Sequence, residues 1–485
     1  MQGSRSLGRG TVSRGILTGV STAAISGSAA VAGVILSRKF GHGVKTDGFF
    51  LAYQLYLAVV LVASVVRIVA LPRLVRAAGD RRLGAETGVW LSALAVPLVA
   101  ALAVAILWPH GIASALSSEV GARHYAAQLL PWVIASSAAQ VLGGLVASAL
   151  AALDDYLAAA FGFAVGSVAG LVVTIVLIHH GLIAFGWGLG VNGALSLLVP
   201  LAELVRRRGL RLPDLAPWSR LAELAEGITL PVALQVLFLI GNRFASGIGS
   251  GDTTTFSYAY LIAALFVSLT ATSLALVTTV PFAREGESPE RSARHVVSAT
   301  WLSLAPIAAA AGVFALAGAV VARHVLGSKY GGSTGAELSR LVVYLSPWMV
   351  ASVALTIAYP LLFVRGRARW LPPLAVVAVL LHVPIEWAGK SAFGLGGIAA
   401  GMAVTTSLVL MVMLARLRAL DATVRGVVVS AAICGALAAV AFGVPRAVLG
   451  PVGAASLGLA VYVVALGVWR PAGLRHAWAY VRTLQ

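Results

Sequence analysis

Three charged side chains inside or beside long apolar runs could contact a polar or charged ligand. A charge in a membrane span is costly and often marks a substrate pathway. Arg67 lies in one apolar run, and its guanidinium could bind a diphosphate through paired hydrogen bonds. It could also reach the membrane surface, because Pro72 is predicted to end the helix about one and a half turns later. Asp47 precedes the same run, in a short polar elbow.

Arg243, near the end of a later apolar run, has three interpretations. It could contact phosphate, pair with Glu386, or extend toward the surface. His382 and Glu386 are four residues apart, as are Glu386 and Lys390, so each pair shares a helix face. Two interpretations of these pairs remain open: a structural pair near the membrane surface, or a site for a coupling ion.

Two loops of opposite charge could form a cytoplasmic gate closed by ion pairs. One contains Asp154 and Asp155, and the other contains Arg365 and Arg367. The alternative is a pair of ordinary solvated loops, whose exposed ion pairs contribute little. No metal site is predicted, since the adjacent His179 and His180 lack a third ligand nearby.

The composition requires that these residues sit in a membrane protein. Hydrophobic residues make up 59% of the 485-residue chain and charged residues 11%, whereas soluble domains average roughly 45–50% and 25%. The formal net charge is +18, but the basic residues form short clusters between apolar runs. That pattern is typical of topology signals and not of nucleic-acid binding.

Fourteen apolar runs are long enough to cross about 30 Å of hydrocarbon. With the N-terminus inside, 24 of the 35 Lys and Arg residues fall on the cytoplasmic side and 10 outside. This bias places both termini in the cytoplasm. The predicted spans are 14–36, 48–71, 87–108, 127–151, 157–178, 183–204, 227–247, 255–281, 297–322, 339–364, 370–388, 394–415, 426–443 and 448–469.

The first twelve spans form a duplication. Matching landmarks recur at offsets of 207 to 209 residues: Ala52-Tyr53 with Ala259-Tyr260, Pro72 with Pro281, and Phe185-Gly186 with Phe393-Gly394. An even number of helices per copy gives parallel repeats, with a cavity expected between the two lobes. The predicted domains are an N-lobe (1–205), a cytoplasmic amphipathic linker (206–226), a C-lobe (227–418), and two further helices with a tail (419–485).

Four segments resemble the multidrug/oligosaccharidyl-lipid/polysaccharide (MOP) exporter superfamily, and most of all the MurJ/MviN-type lipid II flippases within it. The resemblance implies transport without covalent chemistry, and a role in peptidoglycan or polysaccharide biosynthesis. The segments are Phe40-Gly41 with Gly43 and Thr46-Asp47-Gly48-Phe49-Phe50 through Ala52-Tyr53, then Asn242-Arg243-Phe244-Ala245-Ser246, Ser257-Tyr258-Ala259, and Gly394-Leu395-Gly396-Gly397-Ile398-Ala399.

The chain departs from these flippases at the positions that matter most. Counting from the matched motifs, three cavity arginines of the family are replaced by Ala32, Val60 and Leu261. Some family members hold a sodium ion at positions matched here by Asn242, His382, Glu386, the Ile398 carbonyl and Met402. Of these, the oxygens of Asn242 and Glu386 suit a hard cation. Coupling to sodium or to protons through these two residues is left open, and no other cofactor is expected.

The leading hypothesis is a flippase for a polyprenyl-diphosphate-linked saccharide in the bacterial cytoplasmic membrane. Its partners would be the lipid-linked precursor and membrane lipids, with no nucleic acid, and the chain would act as a monomer. Alternatives are a drug/cation antiporter of the same superfamily and a non-transporting scaffold. An enzyme is disfavoured, because the predicted outer loops are short and carry few acids.

Overall fold

A computed structural model describes residues 24–153, 155, 157–211, 218–268, 289–364 and 367–483. Every regular element in these ranges is a helix, which confirms the predicted all-α class. Hydrocarbon offers peptide groups no hydrogen-bond partners, and a helix satisfies them within its own segment. The chain divides into an N-terminal unit, Met1–Val236, and a C-terminal unit, Leu237–Gln485.

The helices of the N-terminal unit follow one another through short connections. The division between the units falls within the last of them, α8. They are α1 (24–40), α2 (Val44–Gly79), α3 (Leu83–Leu107), α4 (Pro109–Leu116), α5 (Val120–Ala151), α6 (Leu157–Val176), α7 (Ile183–Arg208) and α8 (Trp218–Ala245).

The C-terminal unit contains the remaining helices. Its last helix is short and amphipathic, and it packs on the beginning of α10 through Ala477 and Trp301. They are α9 (Asp252–Val267), α10 (Pro289–Leu326), α11 (Gly332–Tyr344), α12 (Ser346–Val364), α13 (Leu371–Arg416), α14 (Leu420–Arg446), α15 (Pro451–Trp469) and α16 (Ala472–Thr483).

In the described residues, ten helices are long and apolar enough to cross a membrane, or eleven when the bent pair α11 and α12 counts as one span. The predicted spans 370–388 and 394–415 are the two arms of α13, which breaks at Gly394. The predicted spans 14–36 and 255–281 correspond to α1 and α9, and their other residues lie outside the described ranges. A helix therefore corresponds to each predicted span.

Small residues let the helices of the N-terminal unit approach closely. A Cβ built on Gly144 of α5 would lie 3.0 Å from the Cβ of Ala63 on α2. Such contacts are typical of membrane helices, because packing and interhelical hydrogen bonds hold them together. A polar example joins α5 to α7, where the Gln140 amide donates to Asn192 at 3.3 Å and to Ser196 at 3.1 Å.

Both ends of the predicted linker belong to the neighbouring membrane helices in the structure. Residues 206–208 are the last turn of α7, and residues 218–226 begin α8, which continues without interruption to Ala245. Leu224, which lies in the predicted linker, is buried in the hydrophobic core that α8 shares with α2, α3, α5 and α7. Burial against these helices removes more apolar surface from water than an interfacial position would. The predicted lobe boundaries themselves stay predictions.

A sharp break organises the C-terminal unit. Gly394 has φ 58° and ψ −134°, a conformation that residues with a Cβ rarely adopt. The break folds the second arm of α13 against the first, so that a Cβ on Gly397 would collide with the carbonyl group of Gly389. The two arms therefore cross at backbone contact distance.

We expect Gly397→Val to destabilise this crossing. Overpacking costs about 1–3 kcal/mol in ordinary cores, and the obstacle here is the backbone, which cannot rotate aside. The free energy of unfolding should fall by about 2 kcal/mol or more. The check is the thermal midpoint in detergent. Gly467→Val on α15 is the control, because a Cβ at that exposed position meets no atom within 4 Å; equal midpoints would contradict the prediction.

Candidate functional site

The polar elbow before α2 positions Asp47 in the first helical turn. Gly41 and Gly43 have positive φ values of 74° and 144°, and the Thr46 hydroxyl donates to the Gly41 carbonyl at 2.6 Å. Asp47 is buried, where its negative charge is favourable beside the helix N-terminus. Contact between Asp47 and a cargo therefore requires this end of α2 to open, and that role stays a prediction.

One face of α2 carries a row of aromatic rings and Arg67. Tyr53 stacks on Phe49 and on Tyr56, with ring centroids 5.3 Å apart in both pairs. Arg67 follows Phe49 by eighteen residues, which is about five turns, so the two share a face. The Arg67 side chain is exposed. The guanidinium is therefore available to an anionic ligand on that side of the helix.

The expected end of this helix at Pro72 is wrong, because α2 continues to Gly79. Proline removes one backbone hydrogen bond, and the chain stays helical beyond it with Arg76 donating to the Pro72 carbonyl at 3.3 Å. The apolar sequence continues past Arg67 through Ile68-Val69-Ala70-Leu71. Arg67 thus lies within the apolar part of α2, about three turns before the helix terminates.

Neighbouring residues at the end of α8 have opposite surroundings. Arg243 is exposed, whereas Asn242 is fully buried. The Asn242 amide donates to the Phe238 carbonyl at 3.3 Å, and its oxygen accepts from the Ser257 hydroxyl of α9 at 3.0 Å. Asn242 therefore joins α8 to α9, whereas the charge of Arg243 lies at the exposed surface of α8.

His382 and Glu386 on the first arm of α13 form a buried pair. Both side chains are 0% exposed, and His382 Nε2 lies 3.1 Å from Glu386 Oε1. The same Nε2 lies 3.1 Å from the Leu237 carbonyl of α8, and Nδ1 lies 2.9 Å from the Thr405 hydroxyl on the second arm. In the described chain Glu386 pairs with this histidine and not with Arg243.

These residues do not fit the sodium ion that the family resemblance implies. Hard cations need several oxygen ligands. The Asn242 oxygen already accepts from Ser257, the Leu237 carbonyl from His382, and Met402 offers only a soft thioether. His382 supplies no oxygen, and its Nε2, which carries the proton donated to Leu237, lies 3.1 Å from the Glu386 carboxylate that a cation would need.

The residues predicted for a cytoplasmic gate have partners within their own units. Asp155 pairs with Arg207 of α7 at 2.6 Å and accepts the backbone N–H of Leu157 at 3.0 Å, which caps α6. Arg367 donates to the Arg416 carbonyl. Asp154 and Arg365 lie outside the described ranges. A gate that joins the two loops stays a prediction.

Several interacting residues were missed from the sequence. Arg207 was assigned to a linker, but it bridges Asp155 and Glu203. Arg220 pairs with Glu86 at 3.0 Å; a basic and an acidic residue so far apart in sequence give no spacing signal. Thr405 and Ser257 look like ordinary helix residues, since their importance comes only from helix packing.

The C-terminal unit contains an apolar cavity of about 800 Å³. Helices α10, α12, α13 and α14 supply most of its walls, and the described residues that line it include no charged side chain. Its principal lining residues are Leu304, Ala308, Gly312, Val350, Leu410, Val427, Cys434, Ala439 and Phe442.

Solved structures with the same arrangement cover nearly the whole chain. A lipid II flippase MurJ in an inward closed conformation aligns with a TM-score of 0.75 and 13% identity, covering 94% of this chain and 99% of the other. The chain shares the fold of MOP superfamily transporters. No protein-family model and no curated protein sequence matches it.

Two further structures have the MOP fold. An inward-facing multidrug resistance MATE family transporter aligns with a TM-score of 0.64 and 15% identity, covering 81% of this chain and 93% of that one. A MOP superfamily transporter from Pyrococcus furiosus gives 0.56 and 15%, with 83% and 93% covered. The resemblance read from the sequence is confirmed at the level of the fold.

Two substitutions at Asp155 separate its roles. Asp155→Ala removes both the cap and the ion pair, and a lost cap costs about 1 kcal/mol. Asp155→Asn keeps a capping oxygen and loses only the pair, which contributes at most about 1 kcal/mol at this partly exposed site. We expect the thermal midpoint to fall further for Asp155→Ala than for Asp155→Asn. Asp80→Ala, at an exposed helix end, is the control; a larger loss for Asp155→Asn would refute the assignment.

Proposed function

We propose that this protein moves a polyprenyl-diphosphate-linked saccharide between the leaflets of the bacterial cytoplasmic membrane by alternating access. The fold shared with a lipid II flippase supports this proposal. A peptidoglycan or related envelope precursor is the proposed cargo. The charge bias of the sequence supports placing both termini in the cytoplasm.

The apolar cavity in the C-terminal unit is the observation that carries the proposal. Ligand cavities commonly measure about 300–1,000 Å³, and this one measures about 800 Å³. Its described lining is apolar apart from Ser346 and Ser407. A hydrocarbon chain fits such walls, whereas a sugar or a cationic drug would lose its hydrogen bonds or counter-ion there. One wall is α14, which lies outside the duplicated helices.

The polar head of the cargo needs a different environment, and exposed arginines provide it. Arg67 lies in the apolar part of α2, and Arg243 lies at the end of α8; both side chains are exposed. A guanidinium donates two parallel hydrogen bonds to a diphosphate. We assign Arg67 the contact with the diphosphate and keep Arg243 as a separate candidate contact, while Asp47, which is buried, would help to shape α2.

The Arg67 assignment can be tested in liposomes that contain a fluorescent polyprenyl-diphosphate saccharide. Loss of a charge-assisted hydrogen bond costs about 1.5–3 kcal/mol, so Arg67→Gln should slow flipping about 10- to 100-fold. Arg67→Lys should retain part of the rate, because it keeps the charge without the paired geometry. The control is Arg340→Gln on α11, also an exposed arginine. An unchanged rate in Arg67→Gln would remove Arg67 from the site.

A second comparison tests the cavity. Ala439→Trp adds a large ring at a position that lines it, whereas Ala436→Trp adds the same ring at another exposed position of the same helix that does not line it. We expect Ala439→Trp to slow flipping of the long-chain cargo severalfold and Ala436→Trp to leave it unchanged. If both variants flip at the wild-type rate and the liposomes instead accumulate a cationic dye, the drug antiporter alternative replaces the flippase.

A further inference from the structure

Glu386 is a buried carboxyl group whose hydrogen-bonding capacity is largely unused. It is 0% exposed, and neither oxygen has a well-formed hydrogen bond in the described chain. His382 Nε2 lies 3.1 Å from Oε1. The carboxyl group also lies close to the second arm of α13, since a Cβ on Gly401 would be 3.0 Å from its carbon. An ionisable group inside a membrane span is a candidate functional site by default.

The hydrogen bonds of His382 fix the position of one proton. A carbonyl oxygen can only accept, so the 3.1 Å contact with Leu237 requires a proton on Nε2. In the neutral ring, Nδ1 then accepts from the Thr405 hydroxyl at 2.9 Å. The Nε2 proton is therefore taken by the Leu237 carbonyl, and Glu386 Oε1, 3.1 Å from Nε2, receives no well-formed hydrogen bond from it.

A neutral histidine beside an ionised Glu386 would leave a buried, poorly compensated negative charge. Such a charge is strongly unfavourable in an apolar interior. One additional proton removes the problem, whether it lies on the carboxyl group or on Nδ1, because either arrangement makes the pair neutral overall. The two groups are coupled, so this proton belongs to the pair.

No other described ionisable group contacts Glu386. On α13 itself, Lys390 points toward α8, with Nζ 3.4 Å from the Gly247 carbonyl. The neighbouring helices carry Arg243 on α8, Asp252, Tyr258 and Tyr260 on α9, Glu337, Arg340 and Tyr344 on α11, and Tyr359 on α12. Within the described ranges, the ion pair of Glu386 is with His382.

We propose that the His382–Glu386 pair is a proton-binding site in place of a sodium site, and that it carries one exchangeable proton while it is buried. When water reaches the pair, the carboxyl O–H bond breaks, the proton passes to water, and the carboxylate keeps the Nε2–H contact. Under the proposed function, this exchange links the conformational cycle to protons. The site assignment itself does not depend on the cargo.

Infrared spectroscopy of the purified full-length protein tests the proton directly. A protonated carboxylic acid has a carbonyl stretch that a carboxylate lacks. Protein labelled with ¹³C-glutamate at the carboxyl carbon should show this band near neutral pH, shifted from its position in unlabelled protein. We expect the band to disappear in Glu386→Gln and to persist in Glu337→Gln, a partly exposed carboxyl group on α11.

A substitution of His382 provides a second spectroscopic test. His382→Gln should retain the glutamic acid band, because the remaining carboxyl group would then hold the proton alone. If Glu386→Gln fails to fold, the isotope-shifted band in wild-type protein still decides the question. Absence of a labelled band, together with no imidazolium signal from ¹⁵N-histidine, would overturn the proposal.

Sodium binding is tested separately by thermal unfolding in sodium chloride against choline chloride at equal ionic strength. A ligand that binds the folded state raises the midpoint, so we expect equal midpoints in the two salts. A sodium-dependent increase that Glu386→Gln removes would overturn the proposal. Neither measurement uses transport. Failure of the flipping assay with the infrared band present would reject the cargo and not the proton site, and the reverse result would reject only the proton site.

Discussion

The absence of hydrogen-bond partners in hydrocarbon is the constraint on which this structure depends. It forces the backbone into helices, and it favours polar side chains within a span that have a partner on their own or a neighbouring helix. Gln140 reaches Ser196, Ser257 reaches Asn242, and His382 reaches Thr405. These pairs join helices that apolar contacts alone would leave free to slide.

The same constraint explains why most of the fold could be predicted from the sequence. Long apolar runs correspond to helices, and the repeated landmarks anticipated the MOP fold. The ends of the helices were harder to predict. Pro72 lies within α2 because a helix tolerates one missing hydrogen bond where flanking residues continue it. The predicted linker helix is part of α8, since Leu224 finds a buried position that no local pattern reveals.

The candidate site was only partly predictable for a related reason. Four-residue spacing correctly places His382 and Glu386 on one helix face. This spacing gives no information about Thr405, which contacts His382, or about Gly401, which lies beside Glu386. Both come close to the pair because α13 folds back at Gly394. Asp155 likewise pairs with Arg207, a partner that no spacing in the sequence indicates. Long-range partners depend on how helices pack, and a single sequence does not encode that in any local pattern.

One wall of the apolar cavity contains Cys434, the single cysteine of the chain. The protein therefore has a native attachment point for a chemical reporter, with no background of other thiols to remove. Water-soluble reagents would reach this buried thiol slowly, whereas a lipophilic maleimide would enter as a hydrocarbon chain does. Its labelling rate would measure how often the cavity is vacant, in native membranes as well as in detergent.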